Sequence, residues 1–298
     1  MGIVFGLIIG LCAFLVNSYG GFVKAFLNPP LENVNILVLG KGGVGHEAPD
    51  LTDTIIFASV SERKISLISL SRDIWVPEIR AKLNSAYYWG KMPLAKSSVE
   101  KITGQPINYG VVIDFSGFKN IIDALGGIEV DVKNSFVDEK YPIPGKENDT
   151  CIPCRYETIK FEKGRVLMNG ETALKFVRSR NAQGDEGTDT ARAARQQLVI
   201  DSIKEKIFKP EVLLNPRKLL SLKNAILVSI ETDINANTFF GILGIAYSSK
   251  GSLSSYSIPE EYLENPPISK RYDNQYVFVP AKGNWDEVQK WIEDQLLP

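Results

Sequence analysis

Four arginines, Arg178, Arg180, Arg192 and Arg195, fall within eighteen residues. A guanidinium offers a planar fork of donors that matches phosphate oxygens, so this density suits a polyanion. Arg178 and Arg180 close a helix predicted over Asn169–Val177. Asp189, Arg192 and Arg195 follow at intervals of three, which places them on one face of a helix predicted over Thr190–Phe208. Gln196 lies beside them. A helix start joined to an arginine face makes an anion site. Spacing alone also fits a structural reading, in which Asp189 or Thr188 caps the helix and the arginines form a solvated face with local ion pairs.

A second set comes from a predicted hairpin. Strands over Thr54–Val60 and Ile65–Leu70 are joined by Ser-Glu-Arg-Lys, a four-residue loop. With Val60 opposite Ile65, the same register sets Asp53 opposite Arg72. Directly opposed residues share a sheet face, so a carboxylate and a guanidinium would meet at the open end. A cross-strand salt bridge is the plain alternative, and a bulge would break the register. A third set, Lys82, Asn84, Tyr87 and Tyr88, combines a cation and an amide with aromatic rings. It suits a phosphorylated or sugar ligand, and equally suits ordinary packing.

The elements that must carry these residues alternate in type. Strands are expected at Asn35–Leu39, Tyr109–Ile113, Ile128–Val132, Ser252–Ile258 and Gln275–Val279. Helices are expected at Lys96–Ile102, Phe115–Leu125, Pro216–Ile226, Thr238–Ser248 and Trp285–Leu297. Strands mixed with helices throughout suggest one α/β domain with a largely buried mixed sheet. Tyr141–Arg155 reads as a turn-rich insert. Gly40-Lys-Gly-Gly-Val-Gly45 fits GxGxxG, but Pro49 and a strand follow where a nucleotide site needs a helix. It reads as a glycine-rich loop between strands.

The 298 residues carry 34 Lys plus Arg against 35 Asp plus Glu. That balance excludes a broadly basic surface and argues against nucleic acid as a partner. Met1–Val23 contains no charged residue. A bilayer span needs about 20 mainly apolar residues, so the stretch is long enough for a transmembrane anchor. A signal peptide and a buried core helix are the rival readings. The implied organisation is an anchor over 1–23, a linker over 24–33, a core over 34–210, and a remainder over 211–298 that continues the domain or forms a small lobe. Cys151 and Cys154 form a lone CxxC, which is half a zinc site. A loop-stapling disulfide outside the cytosol fits the spacing, with two free thiols as the alternative.

These pieces occur in an order that resembles the LytR-CpsA-Psr family of membrane-anchored cell-envelope transferases. The matching segments are NILVLG (35–40), LTDTIIFASV (51–60), ISLISLSRDIWVP (65–77), KLNSAYYWG (82–90), VIDFSGFKNIIDALGGIEVDV (112–132), NGETALKFVRSR (169–180) and DTARAARQQ (189–197). The resemblance implies an α/β/α sandwich with a central mixed sheet and a hydrophobic pocket for a polyprenyl chain. It implies a cell-membrane location with a single span and a catalytic domain outside the cytoplasm. The implied activity transfers a glycopolymer phosphate from an undecaprenyl-pyrophosphate carrier to peptidoglycan, with Mg²⁺ or Mn²⁺. The glycopolymer-bearing lipid, the peptidoglycan acceptor and the membrane are then the partners. By motif match Asp53 holds the metal, and Arg72, Arg178, Arg180, Arg192 and Arg195 grip the pyrophosphate. Asp189, Gln196 and Lys82 complete the head-group site, with Asp53, Arg72 and Arg192 at the reacting centre. Asp73 supports the loop of Arg72.

The chain departs from the family pattern at three places. Gly42 stands where the family has a metal-holding Asp, with His46, Glu47 and Asp50 as nearby substitutes. Leu51 replaces an Arg, and Thr190-Ala191 replaces Phe-Gly. Three functions therefore compete: the phosphotransferase, a non-catalytic lipid-pyrophosphate binder or regulator, and a pyrophosphohydrolase using water in place of the wall hydroxyl.

Overall fold

A computed structural model describes residues 33–43, 48–62, 64–146, 148–207, 209–213, 215–235, 238–239, 241–242, 244–245 and 253–297. The expected anchor over 1–23 lies outside these residues. No helix among those described is long and apolar enough to cross a membrane.

In chain order the elements are β1 (Asn33–Lys41), β2 (Thr52–Ser61), β3 (Ile65–Ser69), β4 (Trp75–Val76), β5 (Ala81–Lys82), α1 (Ala86–Thr103), β6 (Tyr109–Asp114) and α2 (Phe115–Ala124). Then come β7 (Ile128–Val132), β8 (Phe136–Pro142), β9 (Tyr156–Phe161), β10 (Gly164–Met168), α3 (Gly170–Arg178), α4 (Asp189–Ile207), α5 (Pro210–Leu213) and α6 (Pro216–Ser229). The chain closes with β11 (Ile230–Thr232), β12 (Leu253–Ser257), β13 (Leu263–Glu264), β14 (Val279–Pro280) and α7 (Asp286–Leu296).

The fold is α/β, around a six-stranded sheet in the order β11-β6-β1-β2-β3-β12. It is a mixed sheet: β2 and β3 are antiparallel, whereas β12 joins β3 in parallel. Val34, Leu37, Leu39, Phe57 and Ile68 are buried along its strands. The β2–β3 register is the expected one, running from Ile56 opposite Ser69 to Val60 opposite Ile65. Ser61 closes the turn, its backbone N–H donating to Lys64 O at 3.0 Å. Both edge strands of the sheet come from residues beyond 211.

Two compact units emerge. The first comprises the described residues up to Val38, Thr54–Val111, and the chain from Thr232. The second comprises Leu39–Asp53 and Val112–Glu231. In the second unit, β7 pairs antiparallel with β10, and β8 with β9. Their inward residues form a core with α2, α3 and α4, including Ile122, Val130, Met168 and Val199. Phe136, Phe161 and Phe176 stack within it, with ring centroids 5.0–6.0 Å apart.

Helix starts follow local chemistry. Asp114 caps α2 by accepting from Gly117 N at 2.7 Å, and Asn169 caps α3 by accepting from Thr172 N at 2.9 Å. After α2 the chain reverses through Gly126 and Gly127, with φ of 78° and 86°. A Cβ on Gly127 would stand 3.0 Å from Met168 O, so the turn needs both the conformation and the small size of glycine.

Three expectations are corrected. The helix expected over Lys96–Ile102 is longer, because α1 begins at Ala86 and continues past a break at Gly90–Lys91. The strand expected over Gln275–Val279 shrinks to β14 and a lone bridge from Phe278 to Ile74. The flanks of the expected turn-rich insert are ordered: β8 and β9 pair, with a register shift between Asp138 and Tyr141. The helix expected over Thr238–Ser248 is seen at 238–239, 241–242 and 244–245, and the rest lies outside the described residues. Cys151 and Cys154 are joined in a disulfide, the first of the two readings of this pair.

Candidate functional site

The arginine cluster is built around one buried peptide group. Helix α3 ends at Arg178, and Ser179 turns the chain out of it with φ −55° and ψ 130°. Ser179 is fully buried, as is Asp138 on β8. One carboxylate oxygen of Asp138 accepts from Ser179 Oγ at 2.7 Å and from the backbone N–H groups of Arg180 and Asn181, each at 3.2 Å. The other accepts from Lys140 N at 3.0 Å. Four donors satisfy this buried carboxylate away from water.

From the opposite side comes Arg195, only 3% exposed. Its Nη2 donates to Ser179 O at 2.7 Å and its Nε to Phe176 O at 3.1 Å. Its Nη1 donates to Glu186 O at 2.9 Å and to Glu186 Oε2 at 2.8 Å. The guanidinium carbon stands 4.7 Å from the centre of the Phe136 ring. Burial lowers the pKa of Arg195, and the neighbouring Glu186 and Asp138 charges act in the opposite direction. The expectation that Arg195 grips a ligand is not met by this geometry. Its donors are turned inward, and it locks the Arg178–Arg180 turn instead.

Arg178 is half-buried. Its guanidinium carbon lies 4.1 Å from the centre of the Phe115 ring and 5.7 Å from that of Tyr141. Its Nη1 donates to Tyr141 Oη at 3.3 Å. Burial raises the pKa of the Tyr141 phenol, and the Arg178 charge partly offsets the rise. Arg180 is exposed and makes no ion pair among the described residues. The two arginines thus divide the work of one short turn, one held on aromatic faces and the other extended into solvent.

Helix α4 is capped by Thr188, whose Oγ1 accepts from Ala191 N at 3.1 Å. That leaves Asp189 as the first helical residue. Arg192 and Gln196 are half-buried on α4.

The Asp53 neighbourhood belongs to the same unit. Asp53 is exposed and Thr52 before it is buried. Gly42 is buried and offers no carboxylate. Asp50 pairs with Lys41 at 3.1 Å, while His46 and Glu47 lie outside the described residues. Gly43 has φ 75°, and a Cβ there would stand 2.9 Å from Asp114 Oδ2. The glycine-rich loop therefore packs on the carboxylate that caps α2, and β2 is the next described element. Among the described residues no group of three His, Cys, Asp or Glu is placed to hold a metal ion. The exposed Asp53 carboxylate still suits Mg²⁺, which keeps waters and is commonly held by one or two carboxylates plus substrate phosphates.

The first unit holds the remaining candidates. The β2–β3 ladder runs no further than Ile56 opposite Ser69, short of Arg72. The chain turns at Arg72–Asp73 instead. Asp73 takes Lys82 Nζ at 2.7 Å and lies 3.7 Å from Arg72 Nε. Asn84 N donates to Arg72 O at 3.1 Å, tying the turn to the segment that carries Lys82. Tyr87 is buried, whereas Tyr88 is exposed.

The LytR_cpsA_psr family model matches residues 23–294. The chain belongs to the LytR-CpsA-Psr family. It is 31% identical over 212 residues to the polyisoprenyl-teichoic acid–peptidoglycan teichoic acid transferase TagU of Enterococcus faecalis, covering 68% of this chain and 62% of that one. It is 27% identical over 255 residues to TagV of Bacillus subtilis, covering 82% and 60%. The chain thus spans about three-fifths of the length of these curated relatives. Among solved structures, B. subtilis TagV aligns with a TM-score of 0.65 at 24% identity, covering 90% of this chain and 99% of that one. Protein gbs0355 of Streptococcus agalactiae aligns with a TM-score of 0.67 at 24% identity, covering 92% and 90%. These structural likenesses are of fold.

The matched family segments include Arg178, Ser179, Arg180 and Arg195. Asp138 and Glu186 were missed, because each lies outside the matched segments. The available signal was Asp138 at a potential inward position of FVDEKYP, where alternation places a lone carboxylate among apolar residues.

Proposed function

We propose that the protein is a phosphotransferase moving a glycopolymer phosphate from an undecaprenyl-pyrophosphate carrier to peptidoglycan at the outer face of the cell membrane. The observation that carries this reading is the buried lock around Ser179, which holds the backbone of the turn that bears Arg178 and the exposed Arg180. Membership of the family, and the transferase names of TagU and TagV, support the substrate class. Arg178 and Arg180 bind the pyrophosphate, and Arg192 and Gln196 extend the site along α4. Arg195 and Asp138 act as positioning residues. Asp53, Arg72, Lys82 and Asp189 keep the roles that the resemblance implies for them.

In the reaction an acceptor hydroxyl attacks the phosphorus that bears the polymer. The phosphoanhydride P–O bond breaks, polyprenyl phosphate leaves, and the hydroxyl proton passes to solvent. Fixed guanidinium charge lowers the cost of the negative charge that develops on the leaving phosphate. Mg²⁺ held at Asp53 would supply further charge neutralisation.

A second reading is favoured by Gly42, which removes a carboxylate from the metal side. In it the protein binds the lipid pyrophosphate without turnover. Purified protein given lipid-linked polymer, glycan acceptor and Mg²⁺ separates the readings. The transferase releases polyprenyl phosphate together with acceptor-linked polymer. Release with free polymer phosphate alone identifies a pyrophosphohydrolase. Binding without release identifies the non-catalytic protein and refutes the proposal.

A further inference from the structure

We propose that the turn formed by Tyr88, Trp89 and Lys91 is a membrane-interface contact, seating the first unit against a bilayer that carries anionic headgroups. The inference rests on reading the uncharged first 23 residues as a membrane anchor.

The turn exposes what an ordinary helix would hide. Tyr88 is 51% exposed and Trp89 66%. Their rings meet edge to face, with centroids 5.1 Å apart. Two large rings open to water are unfavourable for a surface that stays in water. Trp and Tyr are also the side chains enriched where a membrane meets water, because each ring is apolar with one polar atom.

The backbone is shaped to present them. Helix α1 breaks at Gly90 (φ −134°, ψ 16°) and Lys91 (φ 52°, ψ −153°). A Cβ on Gly90 would stand 2.4 Å from Leu94 Cβ, so only glycine fits there. Lys91 occupies backbone space that is almost confined to glycine, a costly conformation of the kind found at functional sites. Its ammonium lies 5.1 Å from the centre of the Tyr87 ring.

Charge selects the partner. From Ala81 to Val99 there is no Asp or Glu, while Lys82, Lys91 and Lys96 fall in that stretch. Lys82 is paired with Asp73 and Lys96 with Asp233. Lys91 makes no ion pair among the described residues. An exposed lysine beside two exposed aromatic rings matches a surface of lipid phosphates over apolar chains.

Position agrees. Asn35 near the start of β1 donates its N–H to Asn108 Oδ1 at 2.8 Å, and Lys96 Nζ reaches Asn108 O at 3.2 Å. In the part of α1 after the break, Lys96 lies about 6 Å along the axis from Met92, the residue that follows the aromatic turn. Residues 24–32 link the uncharged segment to β1 and reach about 30 Å when extended. The chain from the anchor therefore enters the fold near the aromatic turn.

The test uses the full chain in vesicles of phosphatidylcholine and phosphatidylglycerol with brominated acyl chains, read by tryptophan emission. Trp75 is buried and Trp285 and Trp291 are half-buried, so Trp89 dominates contact with lipid. The wild type is expected to be quenched, and Trp89→Phe to lose at least half of that quenching with unchanged vesicle association and unfolding temperature. Lys91→Gly is expected to keep the fold and to lose the difference between mixed and pure phosphatidylcholine vesicles. Equal quenching in wild type and Trp89→Phe, with both associated, overturns this inference alone. So does a Trp89 that stays as open to aqueous acrylamide with vesicles as without, or one shielded only when a protein partner covers it. A full chain that does not associate overturns both the inference and the anchor reading.

Discussion

Two parts of the second unit handle charge in opposite ways. Around Ser179, Asp138 and Arg195 are buried, and each is satisfied by fixed protein partners. Around Asp53 the carboxylate is exposed, the preceding loop is glycine-rich, and Gly42 contributes no side chain. The first region is complete before any ligand arrives. The second holds an exposed acid that fits a metal only when ligand oxygens or water fill the remaining positions. Pre-organisation is thus invested on the arginine side, where lost order would cost the most binding.

That contrast can be broken from its rigid side first. Arg195→Met removes the buried partner of the half-buried Glu186 carboxylate and the donors that Arg195 gives to the Ser179 and Phe176 carbonyls. Losing one member of such a buried set costs about 3–5 kcal/mol. Denaturant unfolding should show that loss, and lipid-pyrophosphate binding should fall with it. A variant as stable as the wild type would show that the lock is dispensable.

A milder break is Asp138→Asn, which keeps the shape and removes the charge. Its amide group cannot accept from all four donors, so the expected cost is about 1–3 kcal/mol. Unfolding measurements that give no loss would place the Arg178–Arg180 turn under other control.

Tyr141→Phe should cost only about 0.5–1.5 kcal/mol, since it removes a single hydrogen bond, the long one to Arg178. It also carries a pH signature. The folded pKa of Tyr141 is raised, so its contribution is intact below the ordinary value near 10. Above that pH the unfolded chain ionises first and stability falls. The phenylalanine variant should lose less stability than wild type as the pH rises above the ordinary tyrosine value. Identical pH profiles would contradict the burial argument.

On the open side, Asp53→Asn should change stability by no more than about 0.5 kcal/mol, as for an exposed position. Its effect should appear as lost Mg²⁺ dependence of turnover. Unaltered metal dependence would remove Asp53 from the metal's surroundings.

The sequence disclosed some of this and concealed the rest for physical reasons. The β2–β3 register was readable because a short loop between two apolar runs leaves one consistent pairing. It could not reveal where the ladder stops, which is at Ile56 opposite Ser69. The spacing of Arg192 and Arg195 correctly put them on one helix, but periodicity does not say which arginine points into the core. Burial of Arg195 depends on Glu186 and the Phe176 and Ser179 carbonyls, contacts that no local pattern encodes. The β8–β9 pair was hidden by its polar outward residues and its irregular register. The early part of α1 was hidden by Gly90 and Pro93, which read as helix breakers.

The central claim is that the locked turn presents Arg180 to a pyrophosphate. The most direct measurement is the affinity of the purified full chain for polyprenyl pyrophosphate and for polyprenyl monophosphate, in wild type and in Arg180→Ala. Charge-assisted hydrogen bonds contribute about 1.5–3 kcal/mol. Arg180→Ala should therefore weaken pyrophosphate binding by roughly 10- to 100-fold, with a smaller effect on the monophosphate and no change in unfolding temperature. Equal pyrophosphate affinity in a fully folded variant would contradict the account.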